Sequence, residues 1–224
     1  MKVPVSEIFV GVQGEGIYSG VKTLFVRLSG CNLAIDGSPC KWCDTSYAWE
    51  PSEQDTWYEP EDLKEEVIMK HIVHGTNMVS FTGGEPMYYW PDLENALKFI
   101  GKRTNLLIET NGCTPIYKVS DIHYSMDIKC PSSGNADKNI LENIAFLGEK
   151  DQLKCVIQDR QDYEFSMNIV EGYAVLTNIV FQPSWGKLEL KELIEWVVRD
   201  KNAKYIRVCT QLHKLAYGAD KRGV

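Results

Sequence analysis

The sequence predicts an α/β fold in which parallel strands alternate with helices, as in a (β/α) barrel or a doubly wound sheet. Short apolar runs rich in β-branched residues alternate with segments whose apolar residues recur at helical spacing. The runs end in polar, glycine-rich tips such as TGGEP and QPSWG, and ligands bind at such tips in both architectures. At 224 residues, without internal repeats or a linker-like segment, the chain is expected to form one domain over residues 1–224.

Seven runs are predicted to be strands because each is short, apolar and bounded by turn residues. In chain order they are TLFVRLSG (23–30), NMVSFTGG (77–84), NLLIETNG (105–112), IHYSMDIK (122–129), DQLKCVI (151–157), AVLTNIVFQ (174–182) and YIRVCTQL (205–212). Since helical segments separate most of these runs, neighbouring strands are expected to pair in parallel through right-handed crossovers.

Four segments have the spacing of amphipathic helices, and a fifth has a weaker pattern. The four are EDLKEEVIMKHIV (61–73), PDLENALKFIGK (91–102), KNILENIAFLG (138–148) and LELKELIEWVVRD (188–200), and the weaker one is QDYEFSMNIVEG (161–172). In segment 188–200 one apolar stripe is formed by Leu190, Leu193, Ile194 and Val197.

Composition and charge narrow the class of protein. With 44% hydrophobic and 25% charged residues, the chain has the composition of a soluble globular protein. No apolar run approaches the roughly 18 residues of a membrane span, and the start MKVPVSEIFVG lacks a signal-peptide core, so a cytoplasmic protein is expected. The formal charge of -7 argues against nucleic acid as a partner and favours a small molecule.

Three of the seven cysteines lie close together directly after the first predicted strand. Cys31, Cys40 and Cys43 could bind zinc together with His71, His74 or a distant cysteine, although neither histidine has a ligand spacing to them. Alternatively, three thiolates on a 4Fe–4S cluster would leave one iron open for a substrate or cofactor. The remaining cysteines are expected to be small buried hydrophobes: Cys113, Cys130, Cys155 and Cys209.

Two glycine motifs are weak signals by themselves. TGGEP (82–86) follows a predicted strand and is typical of a tight turn, in which Gly-Gly permits positive φ. Its glycines would also let a ligand amino group approach backbone carbonyls. QGEG (13–16) similarly surrounds two polar side chains with turn glycines.

Taken together, the motifs resemble the radical S-adenosylmethionine superfamily and, within it, the family of 7-carboxy-7-deazaguanine synthases. The matching stretches are EIFVGVQGEG (7–16), FVRLSGCNL (25–33), CKWCDT (40–45), FTGGEP (81–86), IETNG (108–112), LKCVI (153–157), FQPSWG (181–186) and QLHKLAYGADKRGV (211–224). The usual superfamily spacing is C-x3-C-x2-C, whereas eight residues separate Cys31 from Cys40 here. The resemblance implies a partial (β/α) barrel of the radical S-adenosylmethionine type with six or seven strands.

The resemblance also implies an activity. It is the conversion of 6-carboxy-5,6,7,8-tetrahydropterin to 7-carboxy-7-deazaguanine by Mg²⁺-dependent radical ring contraction with loss of ammonia. The implied cofactors are a 4Fe–4S cluster, S-adenosylmethionine and Mg²⁺, with no protein side chain as the catalytic group. A flavodoxin- or ferredoxin-like electron donor and a homodimer are implied as well, and a membrane partner is not. The alternatives are a glycyl-radical activase of the same superfamily and a zinc-stabilised interaction domain without enzymatic activity.

Site residues follow from the resemblance by matching position. The cluster ligands would be Cys31, Cys40 and Cys43, and the Mg²⁺ ligand would be Thr45, which by its position alone is a candidate helix N-cap. S-adenosylmethionine would contact Trp42, Cys43, Asp44, Gly84, Glu109, Asp127, Ile128, Lys129, Gln182, Pro183, Ser184 and Trp185. The substrate would contact Val12, Gln13, Gly14, Glu15, Arg27, Thr82, His213 and Val224. The alternatives are an ion pair with a surface acid for Arg27 and a frayed terminus for Val224.

Overall fold

The computed structural model describes residues 1–173 and 177–224, which contain nine strands and six α-helices. The strands are β1 (Val3–Val12), β2 (Lys22–Leu28), β3 (Thr56–Tyr58), β4 (Met78–Gly83), β5 (Asn105–Thr110), β6 (Ile122–Ile128), β7 (Gln152–Ile157), β8 (Asn178–Pro183) and β9 (Ile206–Val208). The helices are α1 (Asn32–Ile35), α2 (Pro60–His74), α3 (Trp90–Gly101), α4 (Arg160–Gly172), α5 (Leu190–Arg199) and α6 (Leu212–Tyr217).

The nine strands form a single sheet with the order β3-β1-β2-β4-β5-β6-β7-β8-β9. The seven predicted strands are β2 and β4 to β9, and each pairs in parallel with its neighbours in this series. Strands β3 and β9 lie at opposite ends of the order of the described strands, so the barrel is open. The predicted fold class, a partial (β/α) barrel, is confirmed. The first residues of the predicted strand 174–182 lie outside the described residues.

The middle of the sheet is buried on both faces. In β5, the consecutive residues Leu106, Leu107 and Ile108 are each at most 1% exposed. Parallel strands that are buried on both faces have continuous apolar runs rather than alternation, and these runs identified them in the sequence. The polar strand ends therefore all face the same edge of a rigid, buried sheet.

Two strands at the N-terminal edge were missed by the sequence prediction, so the count is nine rather than six or seven. β1 pairs antiparallel with β2, and the rings of Phe9 and Phe25 stack across this pair with centroids 5.0 Å apart. β3 has only three residues and pairs antiparallel with the start of β1. Because β1 is antiparallel to β2, with Val12 opposite Lys22, the QGEG loop that follows β1 begins at the amino ends of the parallel strands, and Gln13 reaches from there to Glu109 inside the barrel.

The predicted helix 138–148 is wrong. This segment forms two 3₁₀ turns, Ala136–Lys138 and Leu141–Phe146. The buried Asn143 explains the difference, because its Oδ1 accepts from the Ile116 backbone N–H (3.0 Å) and its Nδ2 donates to the Thr114 carbonyl (2.8 Å). A side chain that bonds the neighbouring backbone in this way offers the segment an alternative to the helical ladder.

The other four predicted helices are present at nearly the expected bounds. α2, for example, begins with Pro60, has Glu61 and Asp62 in its first turn, and ends at Gly75, whose φ of 55° is left-handed. Among the residues described, none of the helices is long and apolar enough to cross a membrane.

Candidate active site

A cavity of about 600 Å³ lies at the carboxyl ends of the parallel strands. Loops that follow β2, β4, β5, β6 and β8 line it, together with the QGEG loop and the C-terminal segment. Of the site residues expected from the sequence, all but Ile128 and Pro183 line this cavity. Ile128 is 3% exposed and belongs to the hydrophobic core, and Pro183 is the last residue of β8.

The three clustered cysteines are all free, partly exposed and on the cavity surface. Cys31 directly precedes α1, and a backbone bond of 3.2 Å from the Cys43 N–H to the Cys40 carbonyl closes the C-x2-C turn. Burial raises the pKa of the Cys40 thiol, the Lys129 ammonium lowers it, and the nearby Cys43 and Cys31 thiols raise it further. Three thiols that share one cavity without a fourth cysteine on its lining fit an iron–sulfur cluster with an open position.

The zinc alternative finds less support. Among the described residues, no group of three His, Cys, Asp or Glu side chains is placed to hold a single metal ion. His71 lies on α2, where its Nδ1 is 2.7 Å from the Thr76 hydroxyl. A cluster differs from a single ion in that each thiolate binds its own iron, so the three sulfurs need not meet at one point.

The remaining four cysteines divide into two pairs. Cys130 and Cys155 are fully buried, as expected for small hydrophobic residues. Cys113 and Cys209 are only partly buried, so the expectation of burial is wrong for these two. Burial nevertheless raises the pKa of the Cys113 thiol, to about 12.

Thr45 lines the cavity directly after the last cluster cysteine. It occupies the N-cap position of the 3₁₀ turn Ser46–Ala48, yet its side chain makes no capping bond there. Its hydroxyl instead donates to Oδ1 of Asp44 at 3.2 Å. The capping interpretation of Thr45 is therefore not realised.

Arg27 lies on β2 and lines the cavity. Its contacts are compatible with both interpretations of its role, an ion pair with an acid and a contact to the substrate. Its Nε donates to Oε1 of Glu7 at 2.6 Å, so it does pair with an acid. The guanidinium carbon lies 5.7 Å from the Phe9 ring centroid and 5.8 Å from that of Tyr47, which fixes its plane. Because Glu7 engages Nε, the two terminal nitrogens remain for a second carboxylate.

Glu109 gathers several of the expected ligand-binding side chains. Its Oε1 accepts from Nε2 of Gln13 at 2.8 Å and from the Ser80 hydroxyl at 3.0 Å, and its Oε2 accepts from the Thr82 hydroxyl at 2.9 Å. The loop after β1 and the strands β4 and β5 thus supply one hydrogen-bonded group. A carboxylate that holds three donors fixes the orientation of each side chain around it.

Lys154 joins the QGEG loop to the end of β6. Its ammonium lies 2.7 Å from Oε2 of Glu15 and 3.3 Å from Oδ1 of Asp127, whose Oδ2 is 2.8 Å from Lys129 Nζ. Burial alone would lower the pKa of Lys154, but Asp127 and Glu15 raise it well above its usual range. Burial alone would raise the pKa of Glu15, but Lys154 keeps it below its usual value. The four alternating charges therefore stay ionised across the cavity floor.

A second charge cluster attaches the C-terminal segment to the cysteine loop. The Lys214 ammonium pairs with Oδ2 of Asp44, and Gln211 Nε2 donates both to Asp44 (3.3 Å) and to Glu15 (2.7 Å). Burial would raise the pKa of Asp44, but Lys214 and Gln211 bring it down to about 2. Since half of the Asp44 side chain is exposed (49%), solvent screens this pair more than the pair of Lys154.

The C-terminal tail closes one side of the cavity and is not frayed. The His213 ring lies directly against Gly14, where a side chain would collide with it. A Cβ atom on Gly11 would come within 2.8 Å of the Val224 carbonyl carbon, so the terminal residue packs on β1. Arg222 stacks on Tyr47 with its guanidinium carbon 3.5 Å from the ring centroid.

The TGGEP turn has a structural role in addition to lining the cavity. A side chain at Gly84 would collide with the Gly30 backbone, so the two loops approach each other as closely as glycines allow. Glu85 is fully buried and accepts from the backbone N–H of Asn111 at 2.6 Å and the Thr110 hydroxyl at 2.8 Å. It therefore ties the end of β4 to the end of β5.

Gln182 offers the clearest sign that the cavity receives a polar ligand. Its side chain is 2% exposed and lines the cavity, yet its Oε1 has no hydrogen-bond partner among the described residues. A buried amide oxygen without a partner is unfavourable, and a bound cofactor with N–H or O–H groups would supply the missing bond. The chemistry of this position therefore fits S-adenosylmethionine.

Several residues of the site were not identified from the sequence as binding residues. The main ones are Lys154, Gln211, Lys214, Asn111 and Tyr47, all on the cavity surface. Lys154 could have been identified as a site residue because it is a charged residue inside the otherwise apolar strand LKCVI. Gln211 and Lys214 lie in the C-terminal stretch QLHKLAYGADKRGV, which carried the resemblance without a role for either residue.

Comparisons with known structures agree with this architecture. The chain superimposes on the crystal structure of QueE from Escherichia coli with a TM-score of 0.75, 21% identity and coverage of 95% of each chain. It also superimposes on Streptococcus suis SuiB bound to S-adenosylmethionine, with a TM-score of 0.54, 18% identity, and coverage of 80% of this chain and 50% of SuiB. At these identities the likeness concerns the fold.

Sequence comparisons identify the family. The model of the radical SAM superfamily matches residues 25–129. The 7-carboxy-7-deazaguanine synthase of Thermoplasma acidophilum is 35% identical over 96% of this chain and 97% of its own length. The synthase of Chlorobaculum tepidum is 33% identical over 98% of this chain and 96% of its own. Together with the cavity and its three free cysteines, these full-length similarities show that the chain belongs to the 7-carboxy-7-deazaguanine synthase family of radical S-adenosylmethionine enzymes.

Proposed function

We propose that this enzyme is a carbon–nitrogen lyase that converts 6-carboxy-5,6,7,8-tetrahydropterin to 7-carboxy-7-deazaguanine with loss of ammonia, a step toward queuosine or archaeosine. The observation that carries the proposal is the cavity itself. Three free cysteines, the QGEG loop, Arg27 and the C-terminal tail all meet on its surface. Full-length relatives bearing the name 7-carboxy-7-deazaguanine synthase support the same product.

Membership of the radical SAM superfamily implies a 4Fe–4S cluster and S-adenosylmethionine as cofactors. Cys31, Cys40 and Cys43 would hold the cluster through three thiolates. When bound, the two cofactors supply the one-electron chemistry that begins a radical reaction. The protein side chains bind and orient the reactants and exclude water, so none of them needs to act as the catalytic group.

The side chains that would hold S-adenosylmethionine lie on the half of the cavity beside the cysteine loop. The Gln182 amide would bond to the cofactor, and Trp42 and Trp185 would flank its apolar surfaces. By resemblance, the backbone around Gly84 would receive the amino group of the cofactor. The other residues proposed for this half are Cys43, Asp44, Glu109, Asp127, Lys129 and Ser184, with Ile128 and Pro183 contributing through their backbone.

The substrate would occupy the half of the cavity formed by β1, β2 and the C-terminal tail. The terminal nitrogens of Arg27 suit a bidentate bond to the substrate carboxylate. Gln13, Glu15 and Thr82 present both donors and acceptors to a pterin ring. Val12, Gly14, His213 and Val224 would complete the walls.

The Thr45 hydroxyl would hold Mg²⁺, and the ion would supply positive charge beside the substrate. Mg²⁺ keeps several waters and takes only one or two protein oxygens, and the Thr45 hydroxyl makes no capping bond that would compete. We expect Thr45→Val, which is nearly isosteric, to lose Mg²⁺ stimulation together with most turnover, whereas Thr45→Ser keeps both. Assays with and without Mg²⁺ test this, and full stimulation of Thr45→Val would remove the hydroxyl from the metal site.

The proposed assembly is a single radical S-adenosylmethionine domain over residues 1–224 that acts as a cytoplasmic homodimer. One hydrophobic cluster, running from Val3 to Ala203, supports the single domain. A flavodoxin- or ferredoxin-like protein would supply the electron. The charge of -7 supports the exclusion of nucleic acid as a partner.

The decisive experiment is anaerobic incubation of reconstituted enzyme with S-adenosylmethionine, reductant, Mg²⁺ and 6-carboxy-tetrahydropterin, followed by mass spectrometry. We expect 7-carboxy-7-deazaguanine and ammonia in equal amounts. Cys40→Ala should lose iron and product, and Cys113→Ala should keep both as the matched control. Absence of the deazaguanine from wild-type reactions that contain a full cluster would contradict the proposal and favour another radical activity, such as glycyl-radical activation.

A further inference from the structure

Two buried asparagines place side-chain N–H groups beside two of the three clustered cysteines. Asn111 Nδ2 lies 3.9 Å from Cys31 Sγ, and Asn135 Nδ2 lies 3.8 Å from Cys40 Sγ. Both asparagines are almost fully buried, at 8% and 1% exposed. Each comes from a different loop at the carboxyl edge of the sheet, Asn111 after β5 and Asn135 after β6.

The orientation of the Asn111 amide is fixed by its neighbours. Its Oδ1 accepts from the Cys113 backbone N–H at 2.8 Å, and its Nδ2 donates to Oδ1 of Asn32 at 2.7 Å. If the amide nitrogen and oxygen were exchanged, the oxygen would face the acceptor Oδ1 of Asn32, and the nitrogen would face the donor N–H of Cys113. The N–H groups of Asn111 must therefore face the Asn32 and Cys31 side of the loop.

The Asn135 amide is oriented by the sulfur itself. Its Oδ1 has no partner among the described residues, so no other group dictates which way the amide points. A thiolate is only an acceptor, hence Oδ1 in place of Nδ2 beside Cys40 would repel it. Among the described residues, the bond to Cys40 is the one hydrogen bond of this buried amide. Donation of an N–H group to that sulfur therefore explains the position of the amide.

Hydrogen bonds to cluster sulfurs stabilise the extra negative charge that the cluster gains on reduction. Resting on the proposed cluster ligation by Cys31 and Cys40, we propose that Asn111 and Asn135 donate N–H···S bonds to these two thiolates and raise the reduction potential of the cluster. Neither residue contacts substrate in this role. Their N–H groups bond to the sulfur ligands and not to the iron, and they make the cluster easier to reduce by a given electron-transfer protein.

Asn135→Leu is the cleanest test, because this change removes the N–H donor without leaving another bond of the amide unmade. Midpoint potentials of the reconstituted holoenzyme are measured by anaerobic spectroelectrochemical titration, with electron paramagnetic resonance of the reduced cluster and iron content for each sample. We expect a more negative potential for Asn135→Leu, and a still more negative one for Asn135→Asp, which adds a charge as well. Asn105→Leu is the matched control, since Asn105 lies at the exposed start of β5 and bonds the Asn77 carbonyl.

Asn111→Leu provides an independent measurement if either Asn135 variant fails to retain iron, and it should shift the potential in the same direction. Variants at Asn135 or Asn111 that hold a full cluster at the wild-type potential would overturn the inference while leaving the proposed function intact. A wild-type protein that binds no cluster would instead contradict the proposed function. A shift of equal size in Asn105→Leu would also overturn the inference, because it would show a general effect of the substitution.

Discussion

Lys154 is the residue on which the electrostatics of the cavity depend. It is 8% exposed and touches carboxylates on both halves of the cavity, Glu15 in the QGEG loop and Asp127 near the end of β6. Its raised pKa keeps it cationic at neutral pH. Its physical role is to keep two largely buried carboxylates charged and in place, which burial alone would oppose.

Replacing Lys154 by Met should reverse the sign of the contribution that Glu15 makes to the pH dependence of the unfolding free energy. The wild-type pKa of Glu15 lies below its ordinary value of 4.5, so its contribution is present above that pH and is lost as the pH falls. Without Lys154, burial becomes the dominant effect and raises the pKa of Glu15 above 4.5, so the protonated form is favoured and acid relieves the destabilisation.

We expect Lys154→Met to lose roughly 1–3 kcal/mol of unfolding free energy at pH 7, because Glu15, which is largely buried, loses its cationic partner and keeps only the neutral Gln211. The deficit relative to wild type should shrink toward pH 4. Urea unfolding of the apo-protein at the two pH values measures this. Lys154→Arg, which keeps the charge, is the control, and an equal deficit at both pH values would show that Lys154 acts through packing alone.

Substitution of Arg27 tests the proposed substrate-binding half of the cavity. Arg27→Lys keeps the charge but replaces the planar fork by a point charge, so one charge-assisted bond to the substrate carboxylate is lost. That loss costs roughly 1.5–3 kcal/mol, or about one to two orders of magnitude in substrate affinity. Substrate titration and substrate-free cleavage of S-adenosylmethionine are measured side by side, and the second should be unchanged. Unaltered substrate affinity would leave Arg27 with only its pairing to Glu7.

The residues of the site were predictable only in part. Cysteine spacing and the motifs around it indicated where the loops after β2 and β4 would meet, because parallel strands bring their carboxyl ends to one edge. Lys154 and Lys214 could not be identified as site residues in the same way, since their partners Glu15 and Asp44 lie more than 130 residues away in the chain. The sequence alone does not identify such pairs, because only the folded chain brings their members together.

At the scale of the elements, strands were easier to predict than the segments that depend on tertiary contacts. The parallel strands have apolar runs that stand out because both faces are buried. β1 was hidden because most of it is only partly buried along one edge of the sheet, where its residues alternate poorly. Segment 138–148 has a helical pattern, but Asn143 commits it to the loop after β5 instead.

Asn143 should therefore stabilise the loop 112–116 rather than its own segment. Asn143→Ala leaves the Ile116 N–H and the Thr114 carbonyl without their partner in a buried region, which costs about 1–3 kcal/mol. Hydrogen exchange should accelerate in residues 112–116, and urea unfolding should show the loss. If exchange accelerates only within 138–148, the side chain acts locally. Asn105→Ala, at an exposed position, should change neither measurement.

At the scale of the whole molecule, charge is unevenly distributed. Seven of the 24 Lys and Arg residues line the cavity, against five of the 31 Asp and Glu residues. The cavity side chains therefore sum to a charge of about +2 while the rest of the chain sums to about -9, which together give the formal -7. The net positive charge of the cavity side chains should favour the approach of a carboxylated substrate to this otherwise acidic protein.

Lys187 is an exposed cation at this mouth and should contribute to capture of the anionic substrate. We expect KM to rise with ionic strength, since the Debye length falls from about 10 Å at 0.1 M to about 3 Å at 1 M salt, while kcat changes little. Lys187→Gln should raise KM at low salt and weaken its salt dependence. Lys201→Gln makes the same charge change at residue 201, which does not line the cavity, and should behave as wild type. If both variants show equal salt dependence, the net charge of the protein governs capture, and the local field of the cavity does not.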